Sequence, residues 1–279
     1  MSDMPWERSL LDQAMALSLL SWRVHVFEPA RALRRLGLYV APTMGAPLVP
    51  GVPQGGGAEL SRRHREPVLL PEEPAGYEEV VEFDRVAEMY EAVVRPFSEP
   101  IIDEVVALMQ PLSPRARIWD PSAGPGGAAL RLARLVPEGE VVAADLSRGM
   151  VETAWRAAQQ AGCDHNMAFF QADVAKPPEA FEGYFDAIVC CLSFHHYPDG
   201  EAAVRAFRRV LAPGGKVFVA DAGPKWFVEL ARPISQLADP GFVRHRTGEE
   251  FLQLFTAAGF SSISWVEVLP GIGVTVASV

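Results

Sequence analysis

Asp120, Asp145, Asp173 and the pair His195-His196 are the residues best suited to chemistry in this sequence, and each follows an apolar run. Asp120 ends "RIWD" and leads into the turn Pro121-Ser122-Ala123-Gly124-Pro125-Gly126. A glycine-rich turn between a strand and a helix brings backbone N–H groups against a ligand, most often a phosphate. A carboxylate placed four residues before Gly124 repels phosphate and favours a ligand with positive charge near the turn. The string Gly124-x-Gly126-x-x-Ala129 also fits a dinucleotide fingerprint, with Asp145 following 19 residues after Gly126 for the ribose hydroxyls. Such a string is weak evidence alone, and Asp120 argues against it. Histidine titrates near neutrality, so His195 and His196 are the candidate bases.

The elements that must carry these residues alternate. Strand-like stretches are "RIWD" (117–120), "EVVAADL" (140–146), "MAFFQADV" (167–174), "FDAIVCCLS" (185–193) and "KVFVADA" (216–222). Helical stretches near 126–135, 148–161 and 200–211 separate them, and "FDRVAEMYEAVVRPF" and "EPIIDEVVALMQPL" precede them. This order predicts an α/β fold, a parallel sheet covered on both faces. Thr247 and Glu250 form a capping box for "EEFLQLFTAAG", and Gly259 closes that helix. Two final strands, "SSISWVEVL" and "GVTVASV", flank Pro270-Gly271 as a hairpin.

With these motifs in order, residues 83–279 resemble the class I S-adenosylmethionine-dependent methyltransferases, in their small-molecule branch of ubiquinone- and menaquinone-biosynthesis type. S-adenosylmethionine carries an ammonium and a sulfonium and no phosphate, which suits a carboxylate at the turn. The first motif of that family, D-x-G-x-G-x-G, is matched from Asp120 through Gly124 and Gly126, with Ser122 in place of the first glycine. The resemblance implies that Asp145 holds the ribose hydroxyls and Asp173 contacts the adenine amino group. It further implies that Leu146, Met150, Val174 and Cys191 border the cofactor, with Tyr90 folding over it from the preceding helix. "FDAIVCCLSFHHYPD" and "RRVLAPGGKVFVAD" are similar to the family's fourth motif and fifth-strand entry. The implied fold is a Rossmann-like seven-stranded, mostly parallel sheet with an antiparallel last strand. Alternative readings stay open: Asp145 as a helix cap, Asp173 as a turn carboxylate, Tyr90 as a core aromatic, and one histidine as a backbone-bonding residue with Asp199 capping the next helix.

Composition limits the partners. A net charge of −10 argues against nucleic acid, which needs a basic face. Three cysteines, Cys163, Cys190 and Cys191, form no disulfide framework and suggest a reducing cytoplasm. The apolar stretch 9–22 is interrupted by Asp12 and Gln13 and lacks a basic leader, so a packed helix over 7–37 is expected rather than an export or membrane segment. Seven prolines and Gly55-Gly56-Gly57 between 41 and 76 predict a stretch without regular structure. The chain therefore divides into an extension, 1–80, serving as a lid or in homodimerisation, and a methyltransferase-like domain, 81–279.

The missing motifs narrow the acceptor. No D/N/S-P-P-aromatic string, Pro-Cys pair or acidic cluster beside "CCLSFHH" occurs. The expectation is a metal-free transfer to carbon or oxygen of a small molecule. Three lysines against 22 arginines suggest a GC-rich bacterial genome, a setting that fits natural-product tailoring. The competing readings are a methyltransferase-like protein that binds the cofactor without methyl transfer, and an NAD-dependent oxidoreductase.

Overall fold

Apolar residues repeat through the strand-forming stretches, and a strand points successive side chains to opposite faces, so each stretch feeds two cores. The computed structural model describes residues 19, 21, 23–36, 43–45, 58–71, 94–239 and 241–279. Its strands are β1 (Thr43–Gly45), β2 (Arg117–Asp120), β3 (Glu140–Asp145), β4 (Met167–Gln171), β5 (Phe185–Cys191), β6 (Leu211–Ala222), β7 (Ser261–Leu269) and β8 (Ile272–Ser278). Its α-helices are α1 (Glu28–Arg35), α2 (Leu60–Arg63), α3 (Arg95–Leu108), α4 (Gly127–Leu135), α5 (Arg148–Ala161), α6 (Gly200–Val210), α7 (Lys225–Ala238) and α8 (Gly248–Ala257).

The strands form one sheet in the order β1-β7-β8-β6-β5-β2-β3-β4. Strands β2 to β6 pair in parallel, and β8 runs antiparallel between β6 and β7. The expected Rossmann-like sheet of seven strands is therefore present, with one strand added at its edge. Ile118, Val141, Ala143, Ala187 and Val189 pack on one face with residues of α3, α4 and α5. Trp119, Val142, Ala144, Ile188 and Cys190 pack on the other with residues of α2, α6 and α8. The predicted capping box of α8 is present in full, and Ser147 caps α5 by accepting from Met150 N–H.

The structure corrects the expectation that 41–76 lacks regular structure. Thr43–Gly45 pairs antiparallel with β7 at one edge of the sheet. At the opposite edge Val68 bridges to Phe170, with Val68 N–H donating to the Phe169 carbonyl at 2.9 Å and Gln171 N–H to the Val68 carbonyl at 2.8 Å. Between them α2 packs Leu60 into the core, and Ser61 N–H donates to the buried Glu140 carboxylate, which also accepts from Tyr184 Oη at 2.6 Å. Open strand edges bind any free backbone, so covering both of them outweighs the local preference of a proline-rich stretch for irregular chain. Of the helix expected over 7–37, α1 and a π-helical turn at Arg23–Phe27 lie within the described residues. Arg31 ties α1 to Asp103 and Glu104 of α3 at 3.2 and 3.3 Å.

Helix α7 is absent from the sequence reading. Pro233 lies inside it, and Trp226, Leu230 and Ile234 point outward at about half exposure, so the apolar stripe gives no sign of a buried face. No helix among the described residues is long and apolar enough to cross a membrane.

Trp119 holds the second core together, with its ring centroid 5.8 Å from Phe181, 5.8 Å from Phe185 and 5.9 Å from Phe207. Trp119→Ala should cost about 3–5 kcal/mol of stability. A urea titration would read this as a lower midpoint at unchanged slope, and an unchanged midpoint would contradict this packing.

Candidate active site

In the strand order β2 lies between β3 and β5, and the chain turns from β2 to one side and later crosses to the other. Loops leaving the carboxyl ends of β2 and β5 therefore part company and open a crevice. A cleft of about 1020 Å³ lies there, bordered by the ends of β2, β3 and β5 and by residues of α3 and α4.

Asp120 forms its floor at 2% exposure. Burial, then the nearby charge of Asp145, pushes its carboxyl up to about 8, against the opposing N–H groups of Ser122 and Ala129. The negative charge inferred at this position is therefore conditional: a cation must arrive for it to persist at neutral pH. After Asp120 the chain turns tightly, with Gly124 at φ 52° and Gly126 at φ 94°. A side chain at Gly124 would meet open space, so its backbone is bare toward the cleft. Gly126 is not on the cleft wall; a Cβ there would lie 3.3 Å from the Ala154 Cβ, so it serves the packing of α5. Asp145 locks the turn to β3, accepting from Gly124 N–H at 2.9 Å and Ser147 N–H at 3.0 Å. The cap of α5 is thus Ser147, and Asp145 faces the cleft.

Ser122, the departure from the family motif, keeps a negative φ and has a partner: its hydroxyl hydrogen-bonds the Tyr197 hydroxyl. Tyr197 is buried and lies 3.4 Å from Cys190 Sγ, which lies 3.3 Å from Ser193 Oγ. Leu192 adopts φ 54°, rare for a residue with a side chain, as the chain leaves β5 toward Ser193.

Asp173 accepts from Ala175 N–H at 2.9 Å in a turn and lies 3.7 Å from Lys176 Nζ, while still bordering the cleft. Asp173 thus has the turn role and also a place on the cleft wall. Leu146, Met150, Val174 and Cys191 border the cleft as well. Tyr90 lies outside the described residues.

The two histidines differ. His195 is not on the cleft wall. Its Nδ1 donates to Asp221 at 3.0 Å and its Nε2 lies 3.2 Å from Asp239 Oδ2. Burial alone would lower it, but Asp221 and Asp239 outweigh that and raise its pKa to about 10. A charged imidazole with both nitrogens engaged has no lone pair for a proton, so His195 is unsuited to the base role expected of it. Burial would raise Asp221, yet His195 holds that carboxyl well below the usual carboxylate range. His196 borders the cleft, and burial followed by the charge on His195 lowers it to about 4. It is neutral at physiological pH and a weak base.

Sequence reasoning missed Tyr197, Asp221 and Asp239. Asp221 lies one residue before the end of β6, close to the way Asp120 ends β2, which was a usable signal. Asp239 follows the unforeseen helix α7 and had none.

Residues 118–215 match the family model described as methyltransferase domain. The chain is 37% identical over 108 residues to a demethylmenaquinone methyltransferase of Thermus thermophilus, covering 39% of this chain and 48% of that protein. It is 32% identical over 117 residues to a ubiquinone/menaquinone biosynthesis C-methyltransferase of Edwardsiella ictaluri, covering 42% and 46%. The chain thus spans about half the length of the curated relatives it matches. Among solved structures, the YcgJ protein of Bacillus subtilis is 28% identical, with a TM-score of 0.51 over 57% of this chain and 68% of that one. A SAM-dependent methyltransferase from Thermotoga maritima is 18% identical and shares the fold, with a TM-score of 0.57 over 72% and 99%. The resemblance to class I methyltransferases read from the motifs is borne out.

Asp221 compensates a charge that burial would otherwise forbid. Asp221→Ala leaves His195 with one carboxylate and should cost about 3–5 kcal/mol, measured by chemical denaturation. Wild-type stability in that variant would contradict the ion pair.

Proposed function

We propose that this chain transfers a methyl group from S-adenosylmethionine to a carbon or oxygen atom of a small molecule. The observation that carries the reading is the buried Asp120 carboxyl beneath a bare glycine turn, with Asp145 beside it. The residues present fit the cofactor. Asp120 is a buried acid that ionises readily only next to a cation, and Gly124 leaves room for close backbone approach. Asp145 would take the ribose hydroxyls, Asp173 the adenine amino group, and Leu146, Met150, Val174 and Cys191 the apolar surroundings. When bound, the cofactor supplies a methyl group on a positively charged sulfur.

The chain's own residues position and exclude. In-line displacement gains most from holding the nucleophile at contact distance in a dry site. Phe242 and Val243 border the cleft beside His196 and Tyr197, so apolar side chains line part of that wall. Neutral His196 is the candidate to accept a hydrogen bond from the acceptor. Carbon is favoured over oxygen because one relative is named a C-methyltransferase, and a role in biosynthesis follows from the same names. The free cysteines fit a cytoplasmic setting. Thr43–Gly45 and Val68 lie at the sheet edges, and none of the extension's described residues borders the cleft, which favours a bracing role for 43–45 and 58–71 over a lid.

Methyl-labelled cofactor incubated with quinol and phenol acceptors tests the reading. Labelled product is expected, and Asp145→Ala should weaken adenosylhomocysteine binding about 10- to 150-fold. Binding without any labelled product would favour a non-transferring protein; no binding, with nicotinamide nucleotide bound instead, would favour an oxidoreductase. Ligand binding should also be linked to Asp120. A cationic ligand favours the ionised carboxyl, so below the free-protein value of about 8 binding must release a proton. Affinity should rise by up to about tenfold per pH unit as pH approaches that value from below, and flatten near it. Calorimetry on Asp120→Asn should lose this slope, and a slope retained in that variant would assign it elsewhere.

A further inference from the structure

We propose that His195 Nε2, which gives up its proton when the ion binds, His196 Nε2 and the Asp239 carboxylate form a site for a divalent transition-metal ion at the rim of the cleft. His195 Nε2 lies 3.2 Å from Asp239 Oδ2, His196 Nε2 lies 3.8 Å from Asp239 Oδ1, and the three donor atoms all fall within 4.8 Å of one another. An ion with bonds of about 2.0–2.1 Å in tetrahedral geometry separates its ligands by roughly 3.4 Å. The two His–Asp239 pairs lie within a few tenths of an ångström of that spacing, and the two imidazole donors lie within 4.8 Å of each other.

The support behind the donors is that of a built metal centre. His195 Nδ1 donates to Asp221 at 3.0 Å, the carboxylate–histidine arrangement that fixes which nitrogen faces a metal. Asp221 is itself anchored by the N–H groups of His195 and Ala222 at 3.0 and 2.7 Å. The His195 carbonyl accepts from Val243 N–H and Arg244 N–H, each at 3.0 Å, which ties the loop after α7 to the loop after β5. Both ligand-bearing segments are therefore held in register before any ion binds.

Two imidazoles and one carboxylate select zinc, cobalt, iron or manganese over magnesium and calcium, which prefer oxygen. His196 borders the cleft, so the remaining coordination positions open toward it. An acceptor oxygen would fill one of them; this last assignment rests on the methyl-transfer reading, whereas the site itself does not. The sequence next to the end of β5 holds no acidic cluster, which is what makes a metal-free site the expectation from sequence. The carboxylates arrive from β6 and from the residue after α7.

The full chain, stripped with chelator and dialysed, would be titrated with zinc and with cobalt by calorimetry, and its metal content measured after desalting. One ion per chain is expected. His196→Gln and Asp239→Asn should each weaken binding by at least about tenfold, with melting temperature confirming that they fold. His245→Gln should bind as wild type. A stoichiometry far below one, or wild-type affinity in both ligand variants, overturns the proposal. So does loss of binding in His245→Gln alone, which would place the ion at the buried group His195, Asp221 and His245. Adenosylhomocysteine is titrated into the same samples: if it fails to bind while metal binds, the cofactor reading falls and the metal site stands.

Discussion

The parting of β3 and β5 from either side of β2 is the constraint on which the site depends. Parallel strands all end on one side, so the split places Asp120, Asp145 and the residues after Cys191 around one crevice. Nothing in the local sequence brings Asp145 to Gly124; the pairing of Asp120 with Ala143 does, and the 2.9 Å hydrogen bond follows. A buried carboxyl in that crevice is costly as an anion, which makes it a selective receptor for a positively charged partner.

Charge also organises the second side of the cleft. His195 sits between two carboxylates contributed by separate elements, and its carbonyl gathers the loop that carries Phe242 and Val243. His196, next in sequence, shares Asp239 yet faces the cleft. Adjacent identical residues thus receive opposite electrostatic treatment, one stabilised as a cation by its carboxylates and its neighbour kept neutral by burial and then by that cation.

Much of this was legible beforehand, where chemistry is local. Strands β2 to β5 begin where apolar runs predicted, and Thr247 with Glu250 caps α8 as its spacing requires. Asp120, Asp145 and Asp173 could be identified because each closes a strand or the turn after it. What escaped depends on distant partners. Thr43–Gly45 is a strand only because β7 offers it an edge, and Tyr197 matters only because Ser122 lies across from it. Asp239 gains meaning from two histidines more than forty residues earlier in the chain.

The two edge pairings made by residues 43–45 and Val68 bear on how this protein can be cut. A fragment trimmed to the matched segment 118–215 loses β7 and β8 and leaves strand backbone bare on both flanks. Copies of it would find partners in one another, since unsatisfied strand backbone recruits any extended chain. Precipitation of such a fragment would then report strand exchange between molecules and say nothing about its chemistry.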